Sequence, residues 1–216
     1  MVVVPDEAAL AGRAAAWVAA VARGTASDHG VFRFAASGGR TPWAMFAALR
    51  SSEDVPWGAV EVFQVDERVA PDGDDARNLA HLRAALSGVP ATVHPMPVNA
   101  PDLTAAAAAY ARELPARIDL VHLGLGPDGH TASLVPGDPV LDVTDRLVAV
   151  TQPYQGHRRM TLTYPALASA AQVLWLVSGA DKRDALAKLL AGDTSIPAGR
   201  VTATHSTVIA DAAAAP

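Results

Sequence analysis

The segment Gly124-Leu125-Gly126-Pro127-Asp128-Gly129-His130 sets an imidazole two residues beyond a carboxylate, inside a glycine-rich turn. A histidine beside free backbone N–H groups is pushed toward its neutral form, and a neutral imidazole is a base at pH 7. Asp128 opposes that shift and holds the ring. The segment also matches the spacing G-x-G-x-x-G, yet a dinucleotide site is not expected. Pro127 and Asp128 stand where the helix of such a motif should begin, and Pro136-Gly137 soon interrupts any long helix. Asp138, Asp142 and Asp145 come too early for a ribose-binding acid.

Three further clusters carry charge or phosphate-binding character. Ser37-Gly38-Gly39-Arg40-Thr41-Pro42 reads as a turn opening into a helix, with Thr41 as N-cap and Pro42 as first helical residue. Its amides and the positive helix end form a phosphate cradle; an ordinary βα turn is the plain alternative. It is not a Walker A loop, because the Gly-Lys-Ser/Thr ending is missing. Asp66-Glu67-Arg68 offers a guanidinium fork to an anion, with Asp66 or Glu67 orienting it; a solvated charge cluster is the alternative. Lys182 is one of only two lysines and is expected in the first turn of a helix, where it opposes the macrodipole. An anionic ligand offsets that penalty, whereas a surface lysine paired with Asp181 explains it more plainly.

The remaining histidines offer less. His122 alternates with apolar neighbours and is expected as a hydrogen-bonded core residue. His29, His81, His94, His157 and His205 lack paired ligand spacing, so no metal is expected. No serine sits in G-x-S-x-G.

These clusters must be held by regular elements. Strands are predicted over Val31–Ala36, Val60–Val65, Ile118–Leu123, Leu147–Val150, Met160–Thr163, Val173–Val177 and Thr207–Ile209. Helices are predicted over Asp6–Arg23, Pro42–Arg50, Ala76–Leu86, Leu103–Leu114 and Asp181–Leu190. Several strands are apolar at every position, as expected where helices cover both faces. The expectation is one α/β domain over residues 1–216, with a three-layer, largely parallel Rossmann-like sheet and helices on both faces. Ligands bind such sheets at the carboxyl ends of the strands, which is where the four clusters stand.

Composition narrows the class. Half of the 216 residues are apolar, enough for a sizeable core, and the net charge is −5. An acidic chain is a poor partner for nucleic acid. Without cysteine there are no disulfides, thiolate metal sites or cysteine nucleophile. No apolar run reaches membrane-spanning length and the N-terminus does not read as a secretory signal, so a cytoplasmic location without membrane contact is expected. The cradle, arginine, lysine and imidazole together suit a small phosphorylated sugar and proton transfer without a cofactor. Residue chemistry leaves hydrolase and isomerase open.

Five blocks resemble the 6-phosphogluconolactonase family, within the glucosamine/galactosamine-6-phosphate isomerase superfamily. They are Ser-Gly-Gly-Arg-Thr-Pro (37–42), Val-Asp-Glu-Arg (65–68), Leu-Gly-Leu-Gly-Pro-Asp-Gly-His-Thr-Ala-Ser-Leu (123–134), Arg-Met-Thr-Leu-Thr (159–163) and Ser-Gly-Ala-Asp-Lys (178–182). The likeness runs over nearly the whole chain. Glucosamine-6-phosphate deaminases, which share the Asp-Gly-His turn, typically carry tyrosine where Arg68 stands and Ile-Ala-Phe-Asn-Glu where Thr131–Val135 stands. Departures are mild: Val135 replaces a usual phenylalanine, Arg40 a usual serine, and His205–Asp211 lacks the usual tryptophan.

The resemblance implies hydrolysis of 6-phospho-D-glucono-1,5-lactone to 6-phosphogluconate in the oxidative pentose phosphate pathway. It implies His130 as general base on water, positioned by Asp128. Arg68, oriented by Asp66 and helped by the Gly126 or Gly129 N–H, would stabilise the oxyanion or bind ring oxygens. Ser37, Gly38, Gly39, Arg40 and Thr41, with Lys182 and Arg159, would hold the phosphate. Two alternatives stay open: an amino-sugar-phosphate deaminase or isomerase, and a non-catalytic sugar-phosphate sensor. Oligomeric state is not readable.

Overall fold

Doubly buried strands dictate the frame. In the computed structural model, which describes Met1 to Pro216, seven strands form one wholly parallel sheet. They are β1 (Val2–Val4), β2 (Phe32–Ala36), β3 (Val60–Gln64), β5 (Thr92–His94), β6 (Ile118–Leu123), β9 (Ala170–Val177) and β10 (His205–Asp211). Their spatial order is β1-β10-β9-β6-β2-β3-β5. Helices α1 (Glu7–His29), α2 (Arg40–Arg50) and α3 (Asn78–Ala85) cover one face, burying Leu10, Val18, Phe46 and Leu82 against Phe34 and Leu120. Helices α4 (Leu103–Glu113), α5 (Tyr164–Ala168) and α6 (Arg183–Leu190) cover the other, with Tyr110, Leu167 and Leu186 in its core. Each such side chain contributes roughly 1.5–3 kcal/mol by leaving water. No helix is long and apolar enough to cross a membrane.

Helix ends follow local chemistry. The Asp6 side chain accepts from the Ala9 N–H at 2.8 Å and opens α1. That helix runs past the expected end at Arg23, because Gly24 is tolerated inside it and the first left-handed residue is Gly30, at φ +76°. Strands β1 and β5 and helix α5 are short and were not expected.

A second sheet is the main departure from the sequence reading. Strands β4 (Asp66–Arg68), β8 (Arg159–Leu162) and β7 (Val148–Val150) form a small antiparallel sheet in the order β4-β8-β7. The charged triplet is therefore a strand in its own right rather than the loop after β3. The chain changes sheets at Val65, whose N–H donates to Ala36 O at 3.0 Å and whose carbonyl accepts from Leu162 N at 2.8 Å. Apolar periodicity does not announce a strand of three charged residues.

Candidate active site

Strands β2 and β6 are neighbours from which the chain proceeds outward in opposite directions, toward β3 and β5 on one side and β9 and β10 on the other. This is the switch point of the sheet, where carboxyl-end loops diverge and leave a crevice. A polar pocket of about 200 Å³ lies there, and Gly38, Arg68, Asn78, His130, Arg159 and Lys182 are among its lining residues. Two larger cavities, of about 640 and 610 Å³, open at the amino ends of the strands and between α4 and β7. Neither contains any of the four sequence clusters.

The turn after β6 is closed by its own backbone. Gly126 N donates to His130 O at 2.8 Å, and Gly129 N donates to Gly126 O at 3.0 Å. Neither amide is free for an oxyanion, which corrects the role expected for Gly126 and Gly129. Both are glycine for steric reasons. A Cβ on Gly126 would overlap the His130 ring, and Gly129 adopts φ +80° against Ile196. The result fixes His130: its Nδ1 lies 2.6 Å from Asp128 Oδ1, and its own N–H donates to the same oxygen at 3.1 Å. Partial burial pulls the Asp128 carboxyl up, but the hydrogen bonds from His130 outweigh it and hold that carboxyl below the usual range. An ionised carboxylate only accepts, so Nδ1 carries a proton, and in the neutral imidazole the lone pair is the one on Nε2.

The cradle after β2 differs in detail from expectation. The N-cap is Gly39, at φ +128°, and α2 begins at Arg40, so Thr41 is not the cap. The amides of Gly38, Gly39, Arg40 and Thr41 make no backbone hydrogen bond, and those of the first turn carry the positive end of the helix. Ser37 Oγ donates to His122 O at 3.1 Å. The Arg40 side chain leaves the site altogether, pairing with Glu7 at 3.0 Å while 86% exposed. Thr41 Oγ1 donates to the same carboxylate at 3.3 Å. Arg40 and Thr41 do not line the pocket, and Glu7 on α1 draws both side chains outward.

Two arginines meet across the small sheet, where Arg68 and Arg159 are directly opposed in register. Like charges in that position repel, and each carries a buried Nε without a partner. Burial lowers the Arg159 pKa; Asp66 opposes that shift and Arg68 reinforces it. An anion between the two guanidiniums relieves both problems. Arg68 is not oriented by Asp66, contrary to expectation. Its Nη1 donates to Asn78 Oδ1 at 2.7 Å and Ala76 O at 2.9 Å. Asp66 instead accepts from Ser133 Oγ at 2.6 Å, while Asn78 Nδ2 donates to Asp66 O at 3.0 Å. Glu67 is fully buried and also leaves Arg68's fork alone. It accepts from the amides of Arg68, Asn78 and Leu79 and from Gln64 Nε2, and thereby caps α3. Arg77 Nε lies 3.1 Å from it as an ion pair.

Lys182 ends a 3-10 turn rather than starting an α-helix, and its Nζ sits 2.9 Å from Asp181 while lining the pocket. Asp211 at the end of β10 pins this loop, accepting from Ser178 Oγ at 2.6 Å and from Gly179 N. His122 is buried as expected but not hydrogen-bonded. Neither ring nitrogen has a partner, and burial lowers its pKa to about 3.

A family model for glucosamine-6-phosphate isomerases and 6-phosphogluconolactonase matches residues 5–210. The chain belongs to that family. It is 37% identical over 204 residues to a 6-phosphogluconolactonase of Nostoc sp., covering 88% of this chain and 84% of that one. It is 39% identical over 180 residues to a 6-phosphogluconolactonase of Synechocystis sp., covering 76% and 74%. Among solved structures, the 6-phosphogluconolactonase of Thermotoga maritima superposes with a TM-score of 0.88 at 27% identity, covering 97% of each chain. A monomeric glucosamine-6-phosphate deaminase reaches a TM-score of 0.84 at 20% identity, covering 99% and 98%. The fold is therefore common to both branches of the glucosamine-6-phosphate isomerase/6-phosphogluconolactonase family and does not separate them.

In this member of the family, the sequence reading missed Asn78 and Ser133. Asn78 is buried against Gly38, where a Cβ would overlap its amide, so it ties the cradle to Arg68. A lone asparagine at the start of a helical run carries no local signal for that role. Ser133 followed the noticed turn closely, and its place beside Asp66 depends on a contact 67 residues away in sequence.

Proposed function

We propose that this chain is a 6-phosphogluconolactonase acting through a histidine-activated water, without a metal ion. The observation that carries the reading is the Asp128–His130 pair, whose free Nε2 shares one small pocket with Arg68, Arg159 and Lys182. The carboxylate fixes the tautomer and the three cations match an anionic substrate. No three His, Cys, Asp or Glu side chains converge as metal ligands.

In this reading the phosphate binds to the cradle amides, Lys182 and Arg159. Water attacks the lactone carbonyl carbon and gives its proton to His130 Nε2. Arg68 stabilises the resulting oxyanion through electrostatic preorganisation. Collapse breaks the bond between the carbonyl carbon and the ring oxygen, and the imidazolium returns the proton to that oxygen. The product is the open-chain acid, which ionises. Kinship at 37–39% identity with proteins of this name supports the choice over amino-sugar chemistry.

The test is turnover of freshly generated 6-phosphogluconolactone, corrected for spontaneous hydrolysis. The wild-type chain should hydrolyse it, and His130→Gln should lower kcat by about 10²–10⁴-fold with little change in KM. Unchanged turnover in that variant removes the assignment of the base. Ammonia release from glucosamine 6-phosphate would instead establish the deaminase reading. Binding of 6-phosphogluconate without any turnover would establish a sensor.

A further inference from the structure

The hairpin joining β7 to β8 reaches the active-site groups without lining their pocket. At its tip Tyr154 N donates to His157 O at 2.9 Å and His157 N to Tyr154 O at 3.3 Å. The two residues between them, Gln155 at φ +50° and Gly156 at φ +84°, are both left-handed, as a type I′ turn demands. Gln155 is not glycine and is strained there. Its Oε1 accepts from Arg159 Nη2 at 3.3 Å.

The Tyr154 ring sits between the two ends of the proposed chemistry. Arg159 Cζ lies 5.1 Å from its centroid, in cation–π range. The His130 ring lies 5.8 Å away at 65°, edge to face. The phenolic oxygen has only an exposed contact of 3.4 Å with Gln155 Nε2, so the ring rather than the hydroxyl does the holding.

We propose that Tyr154 is a positioning residue that couples the anion-binding arginine to the base, making turnover depend on the substrate's phosphate. His130 is anchored by Asp128 at Nδ1 alone, and a ring held at one atom can still swing about that contact. Tyr154 blocks the swing. Arg159, opposed by Arg68 and with an unpartnered Nε, is in turn steadied by the Tyr154 face and by Gln155. An anion that docks on Arg159 fixes the guanidinium, the guanidinium fixes the aromatic ring, and the ring fixes the imidazole. A lactone without phosphate leaves the chain of contacts slack.

This inference rests on the lactonase reading, and its test separates the two. The wild-type chain, Tyr154→Phe, Tyr154→Leu and Tyr154→Ala are compared on 6-phosphogluconolactone and on unphosphorylated gluconolactone. Tyr154→Phe should preserve the ratio of kcat/KM for the two substrates. Tyr154→Leu and Tyr154→Ala should lower it about ten-fold, the scale of a partly desolvated cation–π contact, with most of the loss in kcat. Inhibition by 6-phosphogluconate gives a second measurement. It should weaken in the leucine variant and not in the phenylalanine variant. Tyr154→Leu keeps apolar bulk at a half-exposed hairpin tip, and its thermal midpoint serves as the folding control. An unchanged ratio and unchanged inhibition in Tyr154→Leu, or equal damage in Tyr154→Phe, overturns the inference while wild-type turnover leaves the lactonase reading standing. Absence of wild-type turnover removes both.

Discussion

The two sheets of this protein differ in how much charge they bury. In the central strands β2, β3, β6 and β9 of the parallel sheet, Gln64 and His122 are the only fully buried polar residues. The small antiparallel sheet buries Asp66, Glu67, Arg159 and Thr161 within two strands of three and four residues. A charge taken out of water costs several kcal/mol unless it is paired and hydrogen-bonded, so the small sheet stands only because its carboxylates are satisfied. The large sheet supplies a rigid platform with strand ends converging at one switch point. The small sheet brings the arginines to that platform on strands instead of loops, which limits their freedom before any ligand arrives.

Removing the partner of a buried carboxylate strikes the small sheet hardest. Arg77→Met strands the fully buried Glu67 and should cost about 3–5 kcal/mol in urea unfolding, with a larger effect than any single apolar truncation at the surface. A loss below about 1 kcal/mol would mean that the amides capping Glu67 suffice alone.

Lys182→Ala probes the platform's edge. It should raise KM for the phosphorylated lactone by about ten-fold or more, the worth of one charged hydrogen bond, and alter kcat much less. An unchanged KM, measured in the same assay, would assign that lysine to Asp181 alone.

His122 tests the large sheet's intolerance of polar groups. Its folded pKa of about 3 lies below the ordinary histidine value of about 6.5. The unfolded chain therefore binds a proton that the folded chain refuses, and stability falls as pH drops from about 6.5 toward 3. His122→Leu should raise stability by about 1–2 kcal/mol at neutral pH and flatten that acid limb, as read from thermal midpoints across pH. A steeper acid limb in the variant would contradict the desolvated, unpartnered ring.

Arg40→Ala should do least. Its guanidinium is exposed on Glu7, so stability should shift by less than about 1 kcal/mol and KM should stay put. A marked rise in KM would show that the side chain turns inward when substrate binds.

Much of this was legible before any coordinates. The apolar strands, the glycine turns and the carboxylate two residues before His130 are local features. Local spacing fixes them through backbone sterics and alternating burial. Their shared position also followed, since parallel strands deliver all their carboxyl ends to one edge. Tertiary packing alone decided the rest. Asp66-Glu67-Arg68 became a strand because β8 lay beside it to accept the pairing. Asn78, not Asp66, took hold of Arg68, and Glu7 drew Arg40 away from the crevice. Hydrogen-bond partners distant in sequence are chosen by which groups the packed core brings within reach, and no pattern along a single chain segment encodes that distance.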